Sequence, residues 1–280
     1  MHRFTTPVPP RLSLELRAGS ITVETGETDE TTVELVALND SKATREAIDA
    51  TTVDQRGDEI VVHVPARFAA LPGRGPSIAM RVNAPHEAAL RIKSGSAPVT
   101  ATGRYGTTRI DTGSGDIEVG DIVDSGRVQS GSGDVRIQRV AKDIVVKTGS
   151  GDIAVGTFAG DASFGTGSGD IEVTEGGRGL EAKTGSGDIS VGQAARDVRI
   201  TTGSGRVSID AADEGEVGVK AASGSIRVGV RDGTAVWLDV RSASGRVTSD
   251  LAPTGEPSPG ERQLRLRLST ASGNIGLGRV

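Results

Sequence analysis

The sequence predicts an all-β fold: a parallel β-solenoid (β-helix) of 18-residue rungs, with an irregular N-terminal cap that holds strands and one short helix. Three observations predict it. Gly-Ser-Gly-Asp followed by Ile or Val begins at Gly113, Gly131, Gly149, Gly167 and Gly185, an interval of 18 residues each time, and a fixed period in this range marks stacked repeats. Aligned on that period, one column reads Ile117, Val135, Ile153, Ile171, Ile189, Val207, and the column two residues on reads Val119, Ile137, Val155, Val173, Val191, Ile209. The column between them is unconstrained (Glu118, Arg136, Ala154, Glu172, Ser190, Ser208), which is how the inside and outside of a stacked strand differ. Finally, 40 of 280 residues are Gly, about twice the usual ~7%, and the aromatics are four Phe, one Trp and one Tyr. A round core is anchored by rings that bury ~150–250 Å² each, so the interior here is thin and built from Val, Ile, Leu and Ala.

In chain order, residues 1–93 carry strand-like runs at 11–17, 31–37, 59–65, 77–83 and 88–92, and one short helix near Ala43–Ala50. This stretch reads as a capping segment continuous with the solenoid, because the ends of a stack are sheet edges that need cover. AGSITV at 18–23 is an outlying member of the repeat. Rungs occupy 94–280, in one structural domain with the cap, and the period is clearest over 113–205. Within the unit Asp152–Gly169, Ile153 and Val155 alternate as one short strand, Phe158 points inward at a corner, and Ala162, Phe164 and Thr166 alternate as a second. Later copies drift: GSGRV from Gly203, ASGSI at 222–226, ASGRV at 243–247 and ASGNI at 271–275. The Pro/Gly-rich stretch 252–261 reads as a loop excursion from the last rungs.

Composition excludes several functions. With 32 basic and 37 acidic residues mixed along the chain, no basic face or aromatic platform for nucleic acid is visible. No apolar stretch approaches the ~20 residues of a membrane helix, and MHRFTTPVPPRLSLEL lacks the apolar core and cleavage site of a secretory signal. A cytoplasmic protein without membrane insertion is expected. Zero cysteines exclude disulfides, thiolate chemistry and Cys-ligated metals. His2, His63 and His86 are dispersed, so no paired-His motif exists. The GTGSG match at Gly165–Gly169 recurs as a rung turn, not as a nucleophile elbow between strand and helix. No catalytic residue and no cofactor is expected.

The repeats do offer one column of candidate ligands: Asp116, Asp134, Asp152, Asp170 and Asp188. Stacked carboxylates repel unless a cation, a basic neighbour or N–H groups satisfy them. One reading is calcium, as in RTX-type β-rolls, whose nonapeptide carries its Asp two residues past the last Gly, twice per turn; here Asp follows Gly directly, once per turn. The other reading is an oxygen that accepts turn N–H groups. Ser130, Thr148, Thr166, Thr184 and Thr202 form a second column, read as an internal hydroxyl ladder. Trp237 reads as a core filler.

The TGSGD-Ile/Val rungs, the opening PPRLSLELRAGSITV and the late DGTAVWLDVRSASGRV together resemble a bacterial β-strand-repeat family of unknown function. That family bears an adhesin label and is related to toast-rack-like solenoids; the chain is similar to its cytoplasmic actinobacterial type, over essentially its whole length. The resemblance implies a solenoid and an adhesin-like interaction role. The family has no established activity or catalytic residues, so it assigns no role to any residue. The reading is therefore a non-catalytic scaffold or protein-interaction module with an unknown protein partner, self-association being open. A calcium-stabilised RTX-like β-roll and a glycan-binding or glycan-cleaving β-helix are the alternatives.

Overall fold

A computed structural model of the chain describes residues 1–65, 75–194, 196–251 and 261–280. The expected excursion at 252–261 lies, except for its last residue, outside the described residues. The fold is all-β with one α-helix among the described residues, and it divides into two units, Met1–Lys142 and Asp143–Val280.

The first unit runs β1 (His2–Thr5), β2 (Arg11–Leu16), β3 (Gly19–Gly26), β4 (Glu30–Ala37), α1 (Lys42–Asp49), β5 (Thr52–Arg56) and β6 (Glu59–His63). It continues with β7 (Ile78–Pro85), β8 (Ala88–Ser94), β9 (Val99–Thr112), β10 (Ile117–Ile122), β11 (Gly126–Ser130) and β12 (Val135–Val140). Two strands, one on each face, make a rung. The first repeat-like segment is not the first rung in space. β2 lies parallel between β6 and β8, with Leu12 beside Ile60 and Leu90, and β3 lies parallel between β7 and β9, with Ile21 beside Met80 and Val99. Antiparallel strands then end the parallel stack: β4 covers β7, β1 covers β4 and β5 covers β6. The helix starts where the Ser41 hydroxyl accepts the N–H of Thr44 at 3.1 Å, which satisfies an orphan donor of its first turn. Thr44 and Ala47, one turn apart, are its buried residues.

The second unit holds β13 (Ile144–Thr148), β14 (Ile153–Phe158), β15 (Asp161–Thr166), β16 (Ile171–Glu175), β17 (Gly179–Ser186), β18 (Ile189–Gln193) and β19 (Asp197–Ser204). After these come β20 (Val207–Ala212), β21 (Gly215–Ser223), β22 (Ile226–Val230), β23 (Thr234–Ser244), β24 (Val247–Ser249), β25 (Arg262–Ser272) and β26 (Ile275–Arg279). One face stacks β13, β15, β17, β19 and β21, the other β14, β16, β18, β20 and β22, all parallel. The register is the sequence period itself: Ile153 pairs with Ile171, Ile171 with Ile189, Ile189 with Val207. At the end, spatial order leaves chain order. β25 and β26 enter between β21/β22 and β23/β24, so Val217 pairs with Leu266 and Leu266 with Leu238. This buries Leu264, Leu266 and Leu268 between rungs on both sides, whereas the smaller Val236 and Val240 flank Leu238 in the outer strand, which removes less apolar area from water.

Inward columns are mostly Val, Ile, Leu and Ala, with Met80, Tyr105, Phe158 and Phe164 among them, and the hydroxyl column of Ser130, Thr148, Thr166, Thr184 and Thr202 is buried with them. These hydroxyls close the turns. Ser130 and Thr166 accept the N–H of the glycine three residues on, at 2.8 and 3.0 Å, and Thr166 and Thr184 donate to the carbonyls of Gly151 and Gly169 at 3.0 Å. Thr202, buried, has no partner among the described residues.

Tyr105, the only tyrosine, is fully buried, and its hydroxyl donates to the Val23 carbonyl at 2.7 Å or the Thr102 carbonyl at 2.9 Å. Burial, with a smaller contribution from the Glu24 charge, pushes its phenol well above the ordinary range. A folded-state value above the unfolded ~10 means that the native chain holds this proton longer. Tyr105 therefore stabilises fully below pH ~10, and its contribution falls as pH rises above that value. In an alkaline titration, phenolate absorbance is expected to appear only as the far-ultraviolet circular dichroism is lost. A phenolate signal with its midpoint near pH ~10 and unchanged dichroism would contradict the buried hydroxyl.

Candidate functional site

Two columns of carboxylates line up at one-rung spacing. The first, expected from the repeat, follows each turn. The side chains of Asp116, Asp152, Asp170 and Asp188 do not turn back on their own loops; each reaches the next rung. The Asp116 carboxylate accepts the N–H of Asp134 at 3.0 Å in the first unit. In the second, Asp152 accepts from Asp170 at 2.8 Å, Asp170 from Asp188 at 2.7 Å and Asp188 from Arg206 at 2.7 Å. The ladder thus staples rungs, and its mutual repulsion is offset by a donor for each of these Oδ1 atoms. Asn274 makes the same bond to the N–H of Arg246 at 2.9 Å, so the bond needs an oxygen and not a charge.

Asp170→Asn is accordingly expected to change stability by less than about 1 kcal/mol, since a neutral acceptor replaces a charged one. Asp170→Ala, which leaves the Asp188 N–H without that oxygen, should cost about 1–3 kcal/mol. Among the described residues, no three His, Asp or Glu side chains converge as a metal site. Calcium is expected to move the melting temperature by less than about 2 °C; a rise of 5 °C or more, roughly 2 kcal/mol, would restore the calcium reading, because a ligand that binds only the folded state must stabilise it.

The second column recurs with the same period, but with one Gly and one Glu among its aspartates it spells no fixed motif. Asp143, Asp161, Gly179, Asp197 and Glu216 occupy one register position across β13 to β21. Again the carboxylates bond upward: Asp143 accepts the N–H of Asp161 at 2.9 Å, and Asp197 that of Glu216 at 3.3 Å. At the gap left by Gly179, Arg178 reaches both Asp143 and Asp161, at 3.2 and 3.1 Å. Arg267 meets Glu216 at 2.8 Å.

Asp143, Asp161, Gly179, Asp197 and Glu216 line an open groove of about 660 Å³ in the second unit, together with Glu181, Arg199, Ile144, Leu180 and Val198. A hydrogen bond from Lys183, reinforced by its charge, holds the Glu181 carboxyl below the usual range, so it is ionised at neutral pH. The groove carries a line of carboxylates, of which Asp143 and Asp161 are paired with Arg178, Glu181 with Lys183 and Glu216 with Arg267. The carboxylate recurs on each rung of the column except that of Gly179, whereas a catalytic pair would set two groups apart from the rest by their environments.

Trp237 is not a core filler. It is 53% exposed on β23, with the guanidinium of Arg265 stacked over its ring at 5.2 Å from the centroid. Its position in an outward column, paired with Arg265 and two residues from Asp239, explains the difference: alternation places 236, 238 and 240 inward and 237 outward.

A family model for Toastrack DUF4097 matches residues 10–277. No curated protein sequence matches the chain at a significant level. Among solved structures, the chain is similar to a candidate lipid-binding protein from Parabacteroides distasonis, at 13% identity over 100% of this chain and 95% of that one, with a TM-score of 0.46. It is also similar to a candidate adhesin from Bacteroides fragilis, at 12% identity over 100% and 95%, with a TM-score of 0.43.

Proposed function

We propose that this chain, which belongs to the Toastrack family DUF4097, is a non-catalytic binding module that presents the outer columns of its rungs to a protein partner. The observation that carries the reading is the groove of the second unit, whose lining includes Asp143, Asp161, Asp197 and Glu216 in one register column. A partner with basic side chains on an extended segment would meet carboxylates at one-rung intervals of ~4.7–4.9 Å, broken only at Gly179. Many weak charge contacts on a preformed scaffold give specificity and encounter rate more than affinity per contact. The proposal also places the protein in the cytoplasm and in the actinobacterial branch of its family.

The test is crosslinking of the tagged chain in cytoplasmic extract, with crosslinked peptides identified by mass spectrometry. Crosslinks to a partner through Lys147 and Lys183, on the face of the groove, and their loss in Asp161→Lys/Asp197→Lys, support the reading. The same crosslinks in the doubly reversed variant, or none on this face, overturn it. Both aspartates are exposed at the surface, so their lost charge pairs cost ~0–1 kcal/mol and the lost bond from the Glu216 N–H to Asp197 about 1–3 kcal/mol; far-ultraviolet circular dichroism of the variant, expected to match the wild type, checks the fold.

A further inference from the structure

The stack in the second unit ends on a rung that is built but not covered. β23 pairs only with β25, and β24 only with β26, among the described residues. Their inward columns are those that every neighbouring rung buries. Val236, Leu238 and Val240 stand in register with Leu264, Leu266 and Leu268, and Val247 with Ile275. Yet Leu238 is 41% exposed and Val247 45%, against 0% for Leu266 and Ile275. The core simply stops, and beside it the 11-residue β23 offers a free edge of backbone donors and acceptors. Such an edge, long and apolar, pairs with another chain unless something blunts it.

We infer that the occupant is a second copy of this chain, docked through the same edge about a two-fold axis normal to the faces, so that β23 pairs antiparallel with its counterpart. Two features select this. What is missing is a whole rung, two strands with an apolar column between them; a single added peptide covers one face only, whereas the same end of another copy supplies both. Charge then sets the register. Pairing centred on Val240 places Asp239 opposite Arg241 of the second copy, and Arg241 opposite its Asp239; centring on Asp239 or Arg241 would instead put like charges together, and such cross-strand pairs are unfavourable. In the Val240 register Val240 meets its own counterpart and Leu238 stands opposite Ser242 of the second copy, so the two inward columns face each other. Head-to-tail addition finds no equivalent end on the first unit, where antiparallel β4 and β5 cover β7 and β6; a closed isologous pair is what remains.

The inference stands apart from the groove and survives if the groove binds nothing. Light scattering after size exclusion should give the full chain a mass near twice 28.6 kDa. Asp239→Arg and Arg241→Asp, each placing like charges opposite one another, should weaken the dimer by about tenfold or more, and the double swap D239R/R241D should restore it. Leu238→Asp should yield monomer with unchanged far-ultraviolet dichroism, since that side chain is already half in water. A wild-type monomer overturns the proposal. A dimer indifferent to both single reversals overturns it as well.

Discussion

Phe164→Ala is expected to lower the free energy of unfolding by about 3–5 kcal/mol, the range for a buried Phe cut to Ala. Phe164 is 1% exposed, and its ring meets Phe158 edge-on, with centroids 5.9 Å apart and planes at 86°. In an aliphatic interior only a rung thick, this pair fills what Val or Ile fills elsewhere, and an edge-to-face contact adds ~0.5–1.5 kcal/mol beyond area. The cavity cannot collapse readily, because the rungs on either side hold β15 through Ile144, Val146, Leu180 and Ala182 at fixed strand spacing. Urea denaturation should show a lower midpoint at an unchanged slope. A loss under about 1.5 kcal/mol would mean that the stack closes over the gap.

Much of this architecture was readable from spacing. A strict 18-residue period needs every rung to have the same length, so the pairing of Ile153, Ile171 and Ile189 follows once parallel stacking is accepted. The helix was readable from its own residues, because Ser41 is a good cap and SKATREAIDA a good helical run. The order of the terminal rungs was not. Period alone places β25/β26 last, and only the competition between Leu264, Leu266, Leu268 and the Val236, Leu238, Val240 set for the doubly covered position decides otherwise. The same holds for β2 and β3: their Leu12 and Ile21 gain a neighbour on each side by entering between later strands. Likewise, the aspartate column announced an acceptor, but not that the accepted N–H belongs to the next rung; stacking, which no local motif encodes, brings the two together. Trp237 was misplaced because a large ring in an apolar run looks like core until register assigns it the outer face.

Gly187→Ala is expected to cost about 3 kcal/mol, at or beyond the upper end of ordinary overpacking, although it adds a single methyl group. A Cβ at Gly187 would lie 2.0 Å from the carbonyl oxygen of Gly169 and 2.7 Å from its carbon. Both are backbone atoms of the adjacent rung, so no side chain can swing away. The backbone cannot retreat either: the Gly187 N–H donates to Ser204 on the other side at 2.9 Å, and Ile189 and Val191 pair with Val207 and Ile209. The repeat thus spells glycine here because the turns stack closer than a side chain allows. The same Cβ would come within 3.0 Å of the Asp170 carboxylate, whose oxygen holds the N–H of Asp188 at 2.7 Å, so the substitution strikes the aspartate ladder together with the turn. Gly165→Ala provides the comparison. It lies in β15 with nothing within 4 Å of its Cβ and should be neutral, or stabilise by up to about 1 kcal/mol through the unfolded chain. Thermal and urea unfolding of the two variants side by side separates the explanations. A large loss at Gly187 beside none at Gly165 ties the Gly-Ser-Gly turn to rung spacing. Equal effects would mean that glycine serves the turn only through backbone freedom, and that the spacing between rungs is set elsewhere.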